Sequence, residues 1–195
     1  NDSGGLLGRK VQLILKDSQG DKAKALELAK QLIEEEKVLA IIGPSTSGET
    51  LGIKELCQEN KTILMSCAAA EQIIKPTASY VFKTPQNDSD AVRLIYKAAK
   101  DLNATKVGVL HSTDGFGLAG KGQLEKLAAD SGITIVIAEG YGKEAADLTD
   151  VLTKLKGAGV QAVINWSIVP AQGLVAKNMK EIGLDVPLFQ SHGYG

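Results

Sequence analysis

Short apolar runs alternate along the whole chain with amphipathic stretches at helical period, and this alternation narrows the folds open to it more than any other feature. The apolar runs are KVQLILK at 10–16, VLAIIG at 38–43, 62–66, YVFKT at 80–84, KVGVLH at 106–111, ITIVIAE at 133–139, QAVINW at 161–166 and a last one near 187–190. Between them the pattern predicts helices over 21–36, 48–59, 88–101, 116–130, 147–156 and 171–182. In the first of these Ala25, Leu28, Ala29, Leu32 and Ile33 fall on one stripe. Apolar strands joined by helical crossovers imply parallel sheets covered on both faces, which is α/β architecture.

The TPQNDSD stretch at 84–90 is the predicted seam between two lobes, residues 1–84 and 85–195, with a ligand cleft between them. Pro85 restrains the backbone there, and Asn87, Asp88 and Ser89 can cap the helix that follows. Each lobe is small for an independent doubly wound domain. The chain also lacks an initiating Met, so both ends read as cut.

Charge and aromatic content exclude one class of partner. Lys and Arg total 22 against 23 Asp and Glu, no dense basic run occurs, and aromatic residues make up 4%, so neither an electrostatic footprint nor stacking platforms for nucleic acid are present. No run of 18 apolar residues predicts a membrane span, and no signal peptide is visible. Cys57 falls late in a predicted helix and Cys67 beyond the next strand, too far apart to bridge.

In an open parallel sheet ligands bind outside the carboxyl ends of the strands. Five loops follow strands at that end: GPSTSGE at 43–49, SCAAAE at 66–71, HSTDGFG at 111–117, WSIVPA at 166–171 and QSHGYG at 190–195. In GPSTSGE, Thr46 and Glu49 suit a capping box, a role compatible with Ser47 also meeting a ligand at the helix N-terminus. GFGLAG at 115–120 has dinucleotide-type glycine spacing. Asp114 would repel a pyrophosphate, however, and Gly120 falls inside the helix, so no nucleotide cofactor is expected.

Phe116 is a ring over the cleft or a core contact. Trp166 is expected at the cleft, where its N–H could find a partner, the alternative being the core. His111, ending a buried strand, reads as a satisfied core group, whereas His192 faces the cleft. Two histidines, no HExxH or CxxC and no GxSxG elbow argue against a metal site and against catalysis. In LMSCAAAE, the small side chains of Ala68, Ala69 and Ala70 would let a ligand approach main-chain groups beside the Ser66 hydroxyl. A site of backbone groups, hydroxyls and rings is a receptor's chemistry.

These loops resemble the branched-chain amino acid type of periplasmic binding protein, the leucine/isoleucine/valine-binding family that feeds ABC transporters. The resemblance runs in order through SGGLLGRKVQLILKDSQGDKAKALELAKQLI, VLAIIGPSTSG, LMSCAAAE, YVFKTPQND, DGFG, DLTDVLTKLKGAGVQAVI and GLDVPLFQSHG. It implies a type I periplasmic-binding fold, two Rossmann-like lobes hinged by three crossovers. A first strand, most of its helix and roughly 150 C-terminal residues would lie outside this chain.

The implied partners are a small-molecule ligand and membrane permease subunits. The implied location is periplasmic or otherwise extracytoplasmic, with or without a lipid anchor. Incomplete lobes would expose sheet edges, so dimerisation, swapping or proteolysis of this chain is an expectation.

The resemblance also assigns roles. Ser47 matches a hydroxyl that meets the ligand carboxylate, and Ala68 and Ala69 match positions offering main-chain groups. Ala70 stands where the family carries a threonine, Phe116 where it carries a pocket tyrosine, and His192 where an acid pairs with the ligand ammonium. A neutral imidazole cannot replace that charge, and two hydroxyls are lost besides. The expected ligand is therefore a carboxylate, aromatic or otherwise apolar, without an α-amino group. Rival readings are a true branched-chain amino acid receptor, a ligand-sensing regulatory domain of the same fold and, distantly, a Rossmann-type enzyme.

Overall fold

The computed structural model describes residues 4–194. Two parallel sheets form within them. The first holds β1 (Ala40–Ile42), β2 (Ile63–Ser66) and β3 (Val81–Lys83) in the order β1-β2-β3. The second holds β4 (Lys106–Ser112), β5 (Thr134–Tyr141), β6 (Ala162–Trp166) and β7 (Leu188–Gln190) in the order β5-β4-β6-β7. The chain passes from the first sheet to the second between β3 and α3 (Asp88–Asp101).

The remaining helices are α1 (Lys22–Lys30), α2 (Ser47–Glu59), α4 (Gly115–Ala128), α5 (Thr149–Gly157) and α6 (Leu174–Glu181). A π turn over Gln31–Glu35 continues α1, and a 3-10 turn over Pro170–Gly173 precedes α6, so the stretches predicted as helices over 21–36 and 171–182 are each divided. Asp21 caps α1 by accepting Lys24 N–H at 2.7 Å, and Asp114 caps α4 by accepting Phe116 and Gly117 N–H at 2.9 Å each.

Period-two alternation in the central strands sorts side chains onto two faces. Val107, Val109, Ala162, Ile164 and Trp166 pack with Val92 and Tyr96 of α3 and with Leu124 of α4. Leu110 and Val163 point the other way, onto Leu152 and Leu155 of α5 and Val175 and Met179 of α6. The first sheet packs Ile41, Leu64 and Val81 against Ala25, Ala29, Ile53 and Cys57 of α1 and α2. Both cysteines are free thiols, Cys57 buried and Cys67 exposed.

One predicted strand does not form. Residues 10–16 join neither sheet, and Leu13 and Leu15 are exposed. The segment lies beside β1, lining with it a groove of about 540 Å³. Its apolar alternation matches a strand, but a strand also needs a continuous ladder with a neighbouring strand, and the segment stands in neither sheet.

Candidate functional site

The carboxyl ends of both sheets face one another across a cleft of about 680 Å³, lined among others by Thr46, Gly48 and Glu49 from the first lobe's side and Asp114, Phe116 and Ile168 from the other. The N-termini of α2 and α4 meet there: a Cβ on Gly115 would stand 2.5 Å from the Gly48 Cα. Only glycine permits so close a backbone approach. Both helix ends already carry a carboxylate, Asp114 accepting the Phe116 and Gly117 N–H groups of α4 and Glu49 standing in the first turn of α2.

Ser47 opens α2 and is buried, with its Oγ accepting Ala70 N–H at 3.3 Å. Its hydroxyl proton remains to donate. The cap of this helix is Thr46, which accepts Glu49 N–H at 3.4 Å. The Glu49 carboxylate does not reach back to the Thr46 main chain as a capping box would, but takes the Thr46 hydroxyl at 2.5 Å instead.

The polar groups of the turn after β2 have partners within the chain. Ser66 is wholly buried and its hydroxyl is engaged with Thr50 Oγ1 at 2.9 Å and Ala68 N–H at 3.0 Å. The Ala69 carbonyl accepts the Lys83 ammonium at 2.6 Å. Ala68, Ala69 and Ala70 are all buried, Ala69 within the core cluster that contains Phe116 and Trp166. Several main-chain groups of this turn thus have partners inside the protein, and Ala69 packs in the second sheet's core while Ala68 and Ala70 pack in the first's.

Phe116, Trp166 and His192 form a ring cluster. The Phe116 and Trp166 centroids lie 5.8 Å apart, and His192 stands edge-on to each at 5.3 Å. Phe116 fills both roles foreseen for it, buried at 4% exposure and bordering the cleft. Trp166 does not reach an open cleft. It is 0% exposed and its Nε1 has no hydrogen-bond partner, because the indole lies against the backbone of α4, where a Cβ on Gly120 would be 2.1 Å from Nε1.

That contact explains Gly120, just as Gly48 explains Gly115 and the Ser112 carbonyl, 1.9 Å from a built Cβ, explains Gly117. The glycines of GFGLAG thus fit close helix packing without a pyrophosphate. His111 is buried with Nδ1 2.9 Å from the Ser112 carbonyl, a satisfied core group.

Two charged residues that the sequence reading did not select stand behind the ring cluster. Asp88, the first residue of α3, is 0% exposed; neither carboxylate oxygen makes a hydrogen bond, and Oδ1 lies 3.5 Å from His192 Nε2. Lys83, ending β3, donates to the carbonyls of Ala69 and Gln86. Burial raises the Asp88 carboxyl to about 6, with Lys83 opposing. Burial, and then the Lys83 charge, lowers His192 below the ordinary imidazole value and holds it neutral. The signal for Asp88 was present in QNDSD, where it reads equally as a cap. The N-cap is Asn87, and the Asp88 carboxylate turns inward.

The profile of the periplasmic binding protein family matches residues 1–195, all of the chain. The chain belongs to the periplasmic binding protein family. Among curated relatives, this periplasmic binding protein is 26% identical to an amino acid binding protein of Pseudomonas aeruginosa over 99% of its own length and 52% of the relative's. It is 25% identical to a leucine-, isoleucine-, valine-, threonine- and alanine-binding protein of the same organism, over 100% and 52%. The chain spans about half the length of the curated relatives it matches.

Among solved structures, an extracellular ligand-binding receptor from Rhodopseudomonas palustris HaA2 aligns with TM-score 0.82 at 28% identity, covering 91% of this chain and 50% of that one. The leucine binding protein LivK of Thermotoga maritima aligns with TM-score 0.88 at 21% identity, covering 97% and 54%. The fold is that of type I periplasmic binding proteins, and among the described residues no group of His, Cys, Asp and Glu could hold a metal.

Proposed function

We propose that this chain is part of an extracytoplasmic solute-binding component of an ABC importer, which holds a small carboxylate-bearing ligand between lobes formed by residues 1–84 and 85–195. One observation carries the reading: a cleft of ligand size opens at the carboxyl ends of two parallel sheets, bordered by Phe116 and by the first turn of α2, the turn that also carries Ser47. The ligand carboxylate would take the Ser47 hydroxyl proton. An aromatic or branched apolar body would lie on Phe116.

An α-ammonium would meet a neutral His192 in place of the acid that the resemblance puts there. Relatives do not decide the ligand. A leucine complex from Desulfitobacterium hafniense aligns at 20% identity, and a 3,4-dihydroxybenzoic acid complex from Rhodopseudomonas palustris BisB5 at 23%. The test is mass spectrometry of the small molecule released by denaturing the intact protein after purification. An aromatic or aliphatic carboxylic acid without an amino group is the expected result; leucine, isoleucine or valine would overturn the assignment.

A further inference from the structure

Unpaired buried polar atoms are rare in folded proteins, and one of them belongs to a residue in the wall of the cleft. Glu49 lines the cleft at 3% exposure, and its Oε1 has no hydrogen-bond partner. The other oxygen, Oε2, accepts the Thr46 hydroxyl, and Thr46 lines the same cleft and is only half-buried. The carboxylate is thus held at the cleft wall.

The needs of α2 do not account for this oxygen. An acid in the first turn suits the helix dipole, but that interaction does not require burial, and Glu49 caps no main-chain N–H. An apolar side chain of the same length would fill the place with no charge to desolvate.

A balancing cation is already present. Lys22 lines the same cleft, and its ammonium has no partner among the described residues. Its stem is seated on α2 at Gly52, where a Cβ would stand 2.8 Å from the Lys22 Cγ. A lysine opening α1 opposes the dipole of its helix, and a glycine inside α2 weakens its own, so the pairing of the two serves neither helix. It carries a positive charge to the side of the cleft where Glu49 lies. What Oε1 lacks is therefore a hydrogen-bond donor, and a neutral O–H or N–H supplies that without setting a second cation beside Lys22.

We propose that Glu49 is a specificity-determining residue of the cleft, whose free oxygen takes a neutral hydrogen-bond donor, a hydroxyl or an amide N–H, from the body of the ligand. The inference rests on the carboxylate-receptor reading above and deepens it: the ligand is a carboxylic acid that also carries such a donor.

The experiment is calorimetric titration of the full-length protein at neutral pH with pentanoate and 3-phenylpropanoate, each unsubstituted and each bearing a distal hydroxyl, carboxamide or aminomethyl group. In at least one set the hydroxyl or the carboxamide acid should bind about 10- to 100-fold more tightly than the unsubstituted and aminomethyl acids, the worth of a hydrogen bond to a charged group. Which of the two binds more tightly identifies the donor. Glu49→Met keeps the length and helix propensity of the side chain but accepts no such bond, and should bring the preferred and unsubstituted acids to within about threefold of each other. Glu49→Gln still accepts but has lost the charge, and should keep only part of the preference.

Equal binding of substituted and unsubstituted acids by the wild type overturns the inference and leaves the carboxylate reading intact, as does tightest binding of an aminomethyl acid. Failure of every acid to bind overturns both. A parallel loss of affinity for all ligands in a folded Glu49→Met variant, with the donor preference kept, assigns Glu49 to the support of α2 and overturns the proposal. Should Glu49→Met not fold, Glu49→Gln decides: a preference reduced severalfold supports the inference, and an unchanged one overturns it.

Discussion

In the four-stranded sheet β4 buries six of its seven residues and β6 all five, whereas in the three-stranded sheet β1 buries only its central Ile41. The run VLAIIG is more apolar than QAVINW yet is buried less, so the difference lies in their surroundings. Helices α3 and α4 cover one face of β4 and β6, and α5 and α6 cover the other. The first sheet has α1 and α2 on one side, while Leu13, Leu15, Leu39 and Ile42 stay between 75% and 85% exposed. An apolar run states what a strand could bury; the number of packed neighbours decides what it does bury.

The sharpest way to break this comparison is at its best-packed point. Trp166→Ala should destabilise the protein by about 3–5 kcal/mol, since it empties a fully enclosed ring site, and urea unfolding followed by circular dichroism would measure it. A loss below about 1 kcal/mol would mean that the four-stranded core is looser than its burial suggests.

The seam between the sheets should respond in the opposite direction. Asp88 titrates near 6 in the folded chain against an ordinary 3.8, so between these values the folded state binds more protons, and this group costs stability above pH 6. Asp88→Asn should therefore raise stability above pH 6 by up to about 3 kcal/mol, with the gain closing as the pH falls toward 3.8. His192, whose value is lowered, costs stability as the pH falls below its ordinary 6.5, and His192→Gln would measure that opposing effect separately. Destabilisation at neutral pH would instead make Asp88 a structural anchor of α3.

Smaller effects sharpen the contrast. Gly120→Ala should cost about 1–3 kcal/mol despite the better helix propensity of alanine, because the new methyl meets the indole. Thermal unfolding would read it. Leu13→Ser, on the uncovered side of the first sheet, should change stability by no more than about 0.5 kcal/mol in this chain. A large loss there would show that the 10–16 segment is covered in solution.

The candidate site was legible to the extent that its parts lie in strand-end loops. Ser47, Phe116 and His192 could be singled out because parallel topology sends those loops to one end of each sheet. Asp88 was read as a cap, and Lys83 was not singled out, because a cap and a buried charge leave the same trace in sequence. Trp166 was assigned to the cleft on the need of its N–H for a partner; packing against Gly120 outweighed that need. The alanines after β2 suit close approach of main chain, and in the fold Ala69 packs in the second sheet's core and Ala68 and Ala70 in the first's.

Sequence alone determined the α/β class, the parallel sense of the strands, most helix limits and the membership of the site loops, since all of these follow from local periodicity and the short reach of connections. Tertiary structure decided the pairing partners of each strand, the exposure of the 10–16 segment, the engagement of the Ser66 and Ala69 polar groups and the meeting of Asp88 with His192. Each of those depends on residues far apart in the chain arriving within a few ångströms of one another, and only the folded packing of whole elements sets such distances.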